Sequence, residues 1–400
     1  MANTILTPTM VTRAAQAILS QKLNFVSAIE RQYDDSFARE GAQIGDTLKV
    51  RLPNQYVVRT GATLTTQDTS EQSVDLKVQT QKGVDLNFTA VDLTLNIQDF
   101  SDRILEPAMA VLASAIEADA LTMYKDVGNQ VNNQGAAASF SRVVSARKLL
   151  VDNLAPMNNR SVVLTTQDNA DMVNDLKGLF NSQEIIGKQN REGYLGRTAG
   201  FDFAENTLLP VHARGGANAA YTTSTLIGVL PINSTPVSTI TVATGAGTLV
   251  FGDVFTIAGV FRVHPETRLS TGVLQQFTAA ADYAGGAGNL TISPAIVLSG
   301  ARQNVVIPST SATAAINVAG TANTGHGISL AFQKTAFIFA TADLMMPKGV
   351  DFTSRVVHDG VSMRVVRQYD INNDKFPCRL DVLYGYKTVR PQLACRMANN

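Results

Sequence analysis

The 400-residue sequence predicts an α+β protein interrupted by an inserted all-β module. Three observations carry that class. The apolar period switches repeatedly between helical three-and-four spacing and strand alternation. Charge thins abruptly between Asn218 and Gly325, where only Asp253, Arg262, Glu266, Arg268, Asp282 and Arg302 are charged, and no lysine stands between Lys188 and Lys334. Finally, a chain this long exceeds one ordinary core and divides into two or three compact units.

At the amino end, Thr7-Pro8 reads as an N-cap with proline at the first helical position, and Val11, Ala15, Ile18, Phe25 and Ile29 follow at helical spacing. A helix over about 8 to 31 is expected, without a globular partner beside it in sequence, so residues 1–40 read as an arm. From 41 to 89 the runs TLKVRL, QYVVR, SVDLKVQTQ and GVDLNFT alternate as half-buried strands do, and TGATLTTQDTSEQS between them is polar. The expectation is a long β-hairpin with a solvated tip. Over 90–135 a single stripe, Leu105, Met109, Leu112, Ile116, Ala120, Met123 and Val127, marks a rod helix whose main run begins at Pro107.

Residues 136–217 read as the first part of an α/β domain: FSRVVSARKLLVDNL as a helix, SVVLTT as a buried strand, and QDNADMVNDLKGLF as a helix capped by Asp168 or Thr166. The segment 218–325 is rich in Thr, Ser, Val, Ala and Gly in short strand-like runs, the signature of a small barrel or sandwich. Three strong strand candidates then fill 326–400 and restore the charge density of the first half. That return marks 218–325 as an insertion into one domain.

Composition narrows the function classes. Lys plus Arg equals Asp plus Glu, 33 each, so no global positive field holds the chain on nucleic acid or anionic lipid. The amino terminus lacks the order of a signal peptide and no apolar run approaches a bilayer span, so folding in a cytosol is expected. Cys378 and Cys395 read as two buried thiols rather than a disulfide.

The search for chemistry yields little. No phosphate loop, dinucleotide fingerprint, zinc motif or nucleophile elbow is present. His212, His264, His326 and His358 are scattered, without ligand spacing. His264 with Glu266 and Arg268 in VHPETR could suggest a base held by a carboxylate, but Pro265 forces a turn and no nucleophile is marked; a polar turn between two strands is the expectation. Glu117 and Asp119 diverge on their helix, and Asp168, Asp171 and Asp175 read as a solvated face. Neither catalytic residues, nor a cofactor, nor a metal is expected.

The order of these elements, with AGFDFAENTLLPVH (199 to 212), GDVFTIAGVFRVHPETRLSTGVLQQFTA, GISLAFQKTAFIFATADLMMP and the terminal RLDVLYGYKTVRPQL, resembles the major capsid proteins of tailed double-stranded-DNA phages with the Hong Kong 97-type fold. Within that class it looks like the coat proteins of the short-tailed Salmonella phage group, which carry an inserted β-barrel. The resemblance implies a virion shell of many identical copies around double-stranded DNA bound without sequence preference, assembled in the host cytoplasm through a precursor that expands. Scaffolding and portal proteins would be partners, and no membrane is involved. The alternative is another self-assembling structural protein, of a surface layer or a tail. Candidate intersubunit contacts are Thr60, Thr65, Gln67, Asp68 and Glu71; candidate scaffold or arm contacts are Glu30, Asp34, Asp35 and Glu40.

Overall fold

The computed structural model describes residues 8–34, 47–59, 61–64, 66–67, 71–89, 104–176, 196–218, 220–224, 236–308, 313–372 and 375–399. The chain forms two compact units, one from Met1–Val50, Ser73–Leu121 and Phe337–Val389, the other from Arg51–Gln72, Thr122–Ala336 and Arg390–Asn400.

Among the described residues, the first unit packs three helices on a sheet. Helix α1 spans Pro8–Lys22, α2 spans Phe25–Ala28 and α3 spans Glu106–Leu121. The single helix expected over 8 to 31 is therefore broken at Leu23 and Asn24, and Glu30–Asp34 is already a strand, paired parallel with Phe337–Ala342. The break has a visible cause. Glu117 of α3 accepts the backbone N–H groups of Asn24 and Phe25, the free donors at the start of α2. This part of the chain is also packed rather than free: Ala15, Leu19, Phe25, Val26 and Ile29 are fully buried, while the expected Ile18 is only half-buried. Phe25 meets Phe337 edge-on at 5.6 Å, and Gln16 Nε2 donates to the Val361 carbonyl at 3.0 Å.

The sheet of this unit runs Glu30–Asp34, Phe337–Ala342, Lys375–Thr388, Val361–Arg367, Phe352–His358, and Thr80–Thr89 joins it on the long strand Lys375–Thr388. Strands Thr47–Leu52 and Gln72–Lys77 form a two-stranded ribbon, as the alternation predicts. The expected second run, QYVVR, is not a strand: residues 53–59 lie outside any ladder. Helix α3 begins one residue before Pro107, as expected, but ends at Leu121 and tightens to a 3₁₀ turn over Thr122–Asp126. The apolar stripe continues through that turn, because Met123, Tyr124 and Val127 are buried, but Thr122, Tyr124 and Asp126 are poor helix formers.

In the second unit, a mixed sheet runs Gln130–Asn132, Ala394–Ala398, Gly325–Gln333, Arg160–Leu164, Phe201–Glu205, Arg197–Thr198, with Val211–Ala213 paired to Gly325–Gln333. Helices α4, Phe140–Asp152, and α5, Thr166–Leu176, pack on it. The run GISLAFQKTAFIFATADLM is two strands, since a 3₁₀ turn at Lys334–Ala336 separates Gly325–Gln333 from Phe337–Ala342 and sends each into its own sheet.

The charge-poor segment forms an antiparallel sheet of its own, in the order Thr222–Thr223, Val237–Thr244, Gly288–Ile296, Ser270–Ala279, Val254–Val263, with Ile316–Val318 on the last. It closes on itself: Thr222 pairs with Ala315, and Ile316 N donates to the Tyr221 carbonyl at 2.9 Å. Phe255, Ile257, Phe277, Leu290, Ile292, Ile316 and Tyr221 fill the interior. Closure removes the edges that a short open sheet would leave unpaired.

Candidate functional site: an exposed loop and a buried polar neck

The described residues between 53 and 71 lie outside any helix or ladder and are braced among themselves. Gln67 uses its side-chain amide as a substitute strand: Val57 N donates to its Oε1 at 2.9 Å, and its Nε2 donates to the Val57 carbonyl at 2.6 Å. Arg51 and Glu71 pair at 3.1 Å at the base, and Arg59 donates to the carbonyls of Gly61 and Thr63. So of the five contact candidates in this loop, Gln67 and Glu71 are engaged inside it; Thr60, Thr65 and Asp68 lie outside the described residues. The polar stretch expected over 60–73 carries one exposed large apolar side chain among its described residues, Leu64, and the expected strand run before it carries three more. Tyr56, Val57, Val58 and Leu64 are 57%, 43%, 89% and 77% exposed, a group of apolar side chains with nothing of their own unit over them.

Glu30 stands half-buried at the start of the strand Glu30–Asp34, and Asp34 ends it. Asp35 and Glu40 lie outside the described residues. This segment pairs with a distant strand, Glu30 lying opposite Ile338, which helical spacing over 8 to 31 does not foretell.

Of the acidic residues of α5, Asp175 is exposed as a solvated face requires and Asp171 is half-buried, but Asp168 is not on that face. The helix is capped by Thr165, whose Oγ1 accepts the Asp168 N–H at 3.1 Å, rather than by Asp168 or Thr166. Asp168 is buried, accepting from Ser329 and from Asn399 Nδ2 at 2.8 Å, and burial raises its pKa above the usual carboxylate range. Asp171 and Asp175 accept the N–H groups of Ala138 and Phe140 at 3.3 and 2.8 Å. Two carboxylates thus meet the positive end of α4, whose own Ser139 makes no side-chain cap. Glu117 and Asp119 do diverge as expected: Asp119 accepts the Tyr384 hydroxyl at 2.6 Å and pairs with Lys82 at 2.7 Å.

VHPETR is a turn. His264 Nδ1 accepts the N–H groups of Glu266 and Thr267, both at 3.3 Å, and Arg268, at φ 59°, donates to the carbonyls of Ala301 and Gln303. The imidazole is a local cap that closes the connection between Val254–Val263 and Ser270–Ala279.

Two of the scattered histidines do meet. His212 and His326 face each other across paired strands with ring centroids 5.5 Å apart. His212 Nδ1 lies 3.0 Å from the Tyr124 hydroxyl and its Nε2 2.9 Å from Asp253 Oδ1. Asp253 Oδ2 accepts the N–H groups of Gly215 and Val250 at 3.1 and 2.9 Å. Arg396, fully buried, donates to the Gly252 carbonyl at 2.7 Å and lies over the Tyr124 ring; burial lowers its pKa to about 10. Arg214 bolts the neighbouring segments through the carbonyls of Gly320 and Ala217, each at 2.8 Å. This cluster was illegible in the sequence, because its members converge only through strand register. Among the described residues, no group of three or more His, Cys, Asp or Glu is placed to hold a metal ion, and no helix is long and apolar enough to cross a membrane.

An α/β body, a closed β-module and an internally braced loop offering apolar side chains define a structural subunit suited to repeated contact. The sequence matches the family model described as "P22 coat protein - gene protein 5" over residues 19–397, and the chain belongs to that family. It is thus a major capsid protein of a bacteriophage, a virion component that assembles in many copies into the icosahedral shell, with the Hong Kong 97-like capsid fold. None of the curated protein sequences compared with it matches. Solved structures similar to it include Mycobacterium phage Che8 (12% identity, 95% of this chain and 90% of that one, TM-score 0.41). Two others are the capsid of Cyanophage P-SCSP1u (11%, 94% and 88%, 0.43) and the mature capsid of bacteriophage PhiM1 (9%, 92% and 85%, 0.43). The family match carries the assignment.

Proposed function

We propose that the loop over 53–71 is a contact arm laid on a neighbouring subunit. The observation that carries this is the exposed group Tyr56, Val57, Val58 and Leu64 on a loop held in shape by Gln67 and by the Arg51–Glu71 pair. Preorganisation of this kind lowers the entropy lost on docking. Stable interfaces bury on the order of 1,200 to 2,000 Å², so one loop supplies part of a contact that a shell repeats many times. Thr60, Thr65, Gln67, Asp68 and Glu71 are proposed to frame that contact.

In the same reading the chain acts as a building subunit and not as an enzyme. It assembles in the host cytoplasm through a precursor shell that expands, with a scaffolding protein and a portal as partners. Glu30, Asp34, Asp35 and Glu40 are the proposed scaffold or arm contacts. Balanced charge, 33 basic against 33 acidic residues, suits a shell that encloses double-stranded DNA without gripping it. The domain division proposed is an amino-terminal arm, the extended hairpin, the long-helix segment, an α/β domain, and the all-β module as an insertion in it.

The test is to change Val58 and Leu64 to aspartate and to follow subunit fold by circular dichroism and assembly by sedimentation. Folded subunits that no longer form shells support the contact arm; shells forming at the wild-type rate contradict it.

A further inference from the structure

The chain leaves the α/β sheet for the barrel through Val211–Ala213 and returns through Gly325–Gln333. These two strands form the neck of the insertion, and they pair antiparallel with His212 directly opposite His326. Both histidines are buried, and each ring has polar partners. At His212, a proton on Nε2 satisfies both contacts: Nε2–H donates to Asp253, and Nδ1 accepts from the Tyr124 hydroxyl. At His326, the partner is the Gln134 amide nitrogen, 3.0 Å from the ring nitrogens. Gln134 Oε1 accepts from Thr321 N at 3.2 Å, which turns the amide so that its donor side faces the imidazole. A donor there requires an unprotonated ring nitrogen.

The charges around His326 oppose a proton. Arg396, on the adjacent strand Ala394–Ala398, and His212, on the strand opposite, face it; Asp253, from the barrel, is the nearby carboxylate and is already shared by His212, Gly215 N and Val250 N. Tyr124 lies on the 3₁₀ turn beneath His212, and Arg214 lies within the field of Asp253. A route for the proton nonetheless exists. His326 lines a cleft of about 290 Å³ together with Thr165, Asn206, Leu209 and Val211.

We propose that the His212–His326 pair is a proton-sensitive clasp at the neck of the barrel. With the His326 ring neutral the neck strands are held closed; protonation of His326 from the cleft releases them, while the barrel and the α/β sheet each stay folded. Burial, then His212 and Arg396, push the His326 pKa down to about 4, so the clasp is closed at neutral pH. An opened neck, with a histidine of ordinary pKa near 6.5, takes up a proton that the closed neck refuses. Between about pH 6.5 and about pH 4 the closed state therefore loses ground by about tenfold in its equilibrium constant per pH unit lowered.

Amide hydrogen exchange on the full-length chain between pH 7 and pH 4, corrected for intrinsic exchange rates, tests this directly. The expected result is loss of protection of about tenfold per pH unit in residues 211–215 and 321–327, with the barrel strands around Phe255, Phe277 and Leu290 remaining protected. His326→Gln, which keeps a polar side chain but cannot titrate, should flatten the pH response of the neck. Neck and barrel strands opening together, or neck protection constant across the range, overturns the proposal on the wild-type chain alone, whether or not the variant folds. An unchanged pH response in a folded His326→Gln chain overturns it as well.

Discussion

Asp381 and Gly83 stand opposite each other in register on the paired strands Lys375–Thr388 and Thr80–Thr89, and the carboxylate occupies the space that a side chain at Gly83 would need. Asp381 is fully buried, accepts from Arg364 Nη2 at 2.6 Å and Arg379 Nε at 2.8 Å, and so ties neighbouring strands of one sheet through a buried charge. A Cβ at Gly83 would lie 2.5 Å from both Asp381 Oδ1 and the Leu380 carbonyl. Gly83→Ala must push the carboxylate off its arginines, and a destabilisation of about 3 kcal/mol is expected. Gly259→Ala is the control: at φ 80° with no atom within 4 Å of its added Cβ, it should cost only about 1 kcal/mol. Urea denaturation of the two variants checks the difference.

Gly385, in the terminal LYGY, is required for a similar reason. An added Cβ there would collide with the backbone carbonyl of Lys77, which cannot swing away as a side chain does. Gly385→Ala is predicted to give a chain that fails to fold into soluble subunits, measured as the soluble fraction on expression beside the wild type.

Glu117 offers a test of the amino-terminal packing. Its buried carboxylate is the acceptor for the Asn24 and Phe25 N–H groups, and Glu117→Ala leaves those donors unmatched. A loss of about 2 to 3 kcal/mol is expected, with Glu117→Gln recovering part of it, because an amide oxygen still accepts. Proteolysis within residues 8–28 should rise in the alanine variant if α1 and α2 are held as described.

The thiols give a chemical prediction. Cys378 and Cys395 are buried and free, and burial pushes their pKa values up to about 11 and about 12. Native protein should therefore be inert toward a thiol reagent at pH 8, and both groups should react once the chain is unfolded. Rapid labelling of either thiol in the native state would contradict this packing.

The parts of the fold set by local pattern were legible in the sequence. Pro107 places the start of α3, alternation in Val361–Arg367 and Lys375–Thr388 marks strands, and the scarcity of charge outlines the closed β-module. What depends on register or on distant partners was not. The break between α1 and α2 follows from Glu117, far along the chain; the neck cluster follows from His212 and His326 falling opposite each other; Asp168 is buried against Ser329 and Asn399, and Asp171 and Asp175 gain backbone partners at the start of α4, neither of which spacing along one helix reveals. Tyr56 and Val58 alternate as in a strand, yet among the described residues no strand pairs with them, and they are left exposed instead. Periodicity reports which face of an element is apolar, and not what covers that face.

Electron microscopy of the protein expressed alone and with its neighbouring open reading frames, paired with sedimentation, tests the central claim that this chain builds a shell. Closed polyhedral shells or curved sheets of regular subunits are the predicted result. A clean monomer or small oligomer in every preparation would contradict the account.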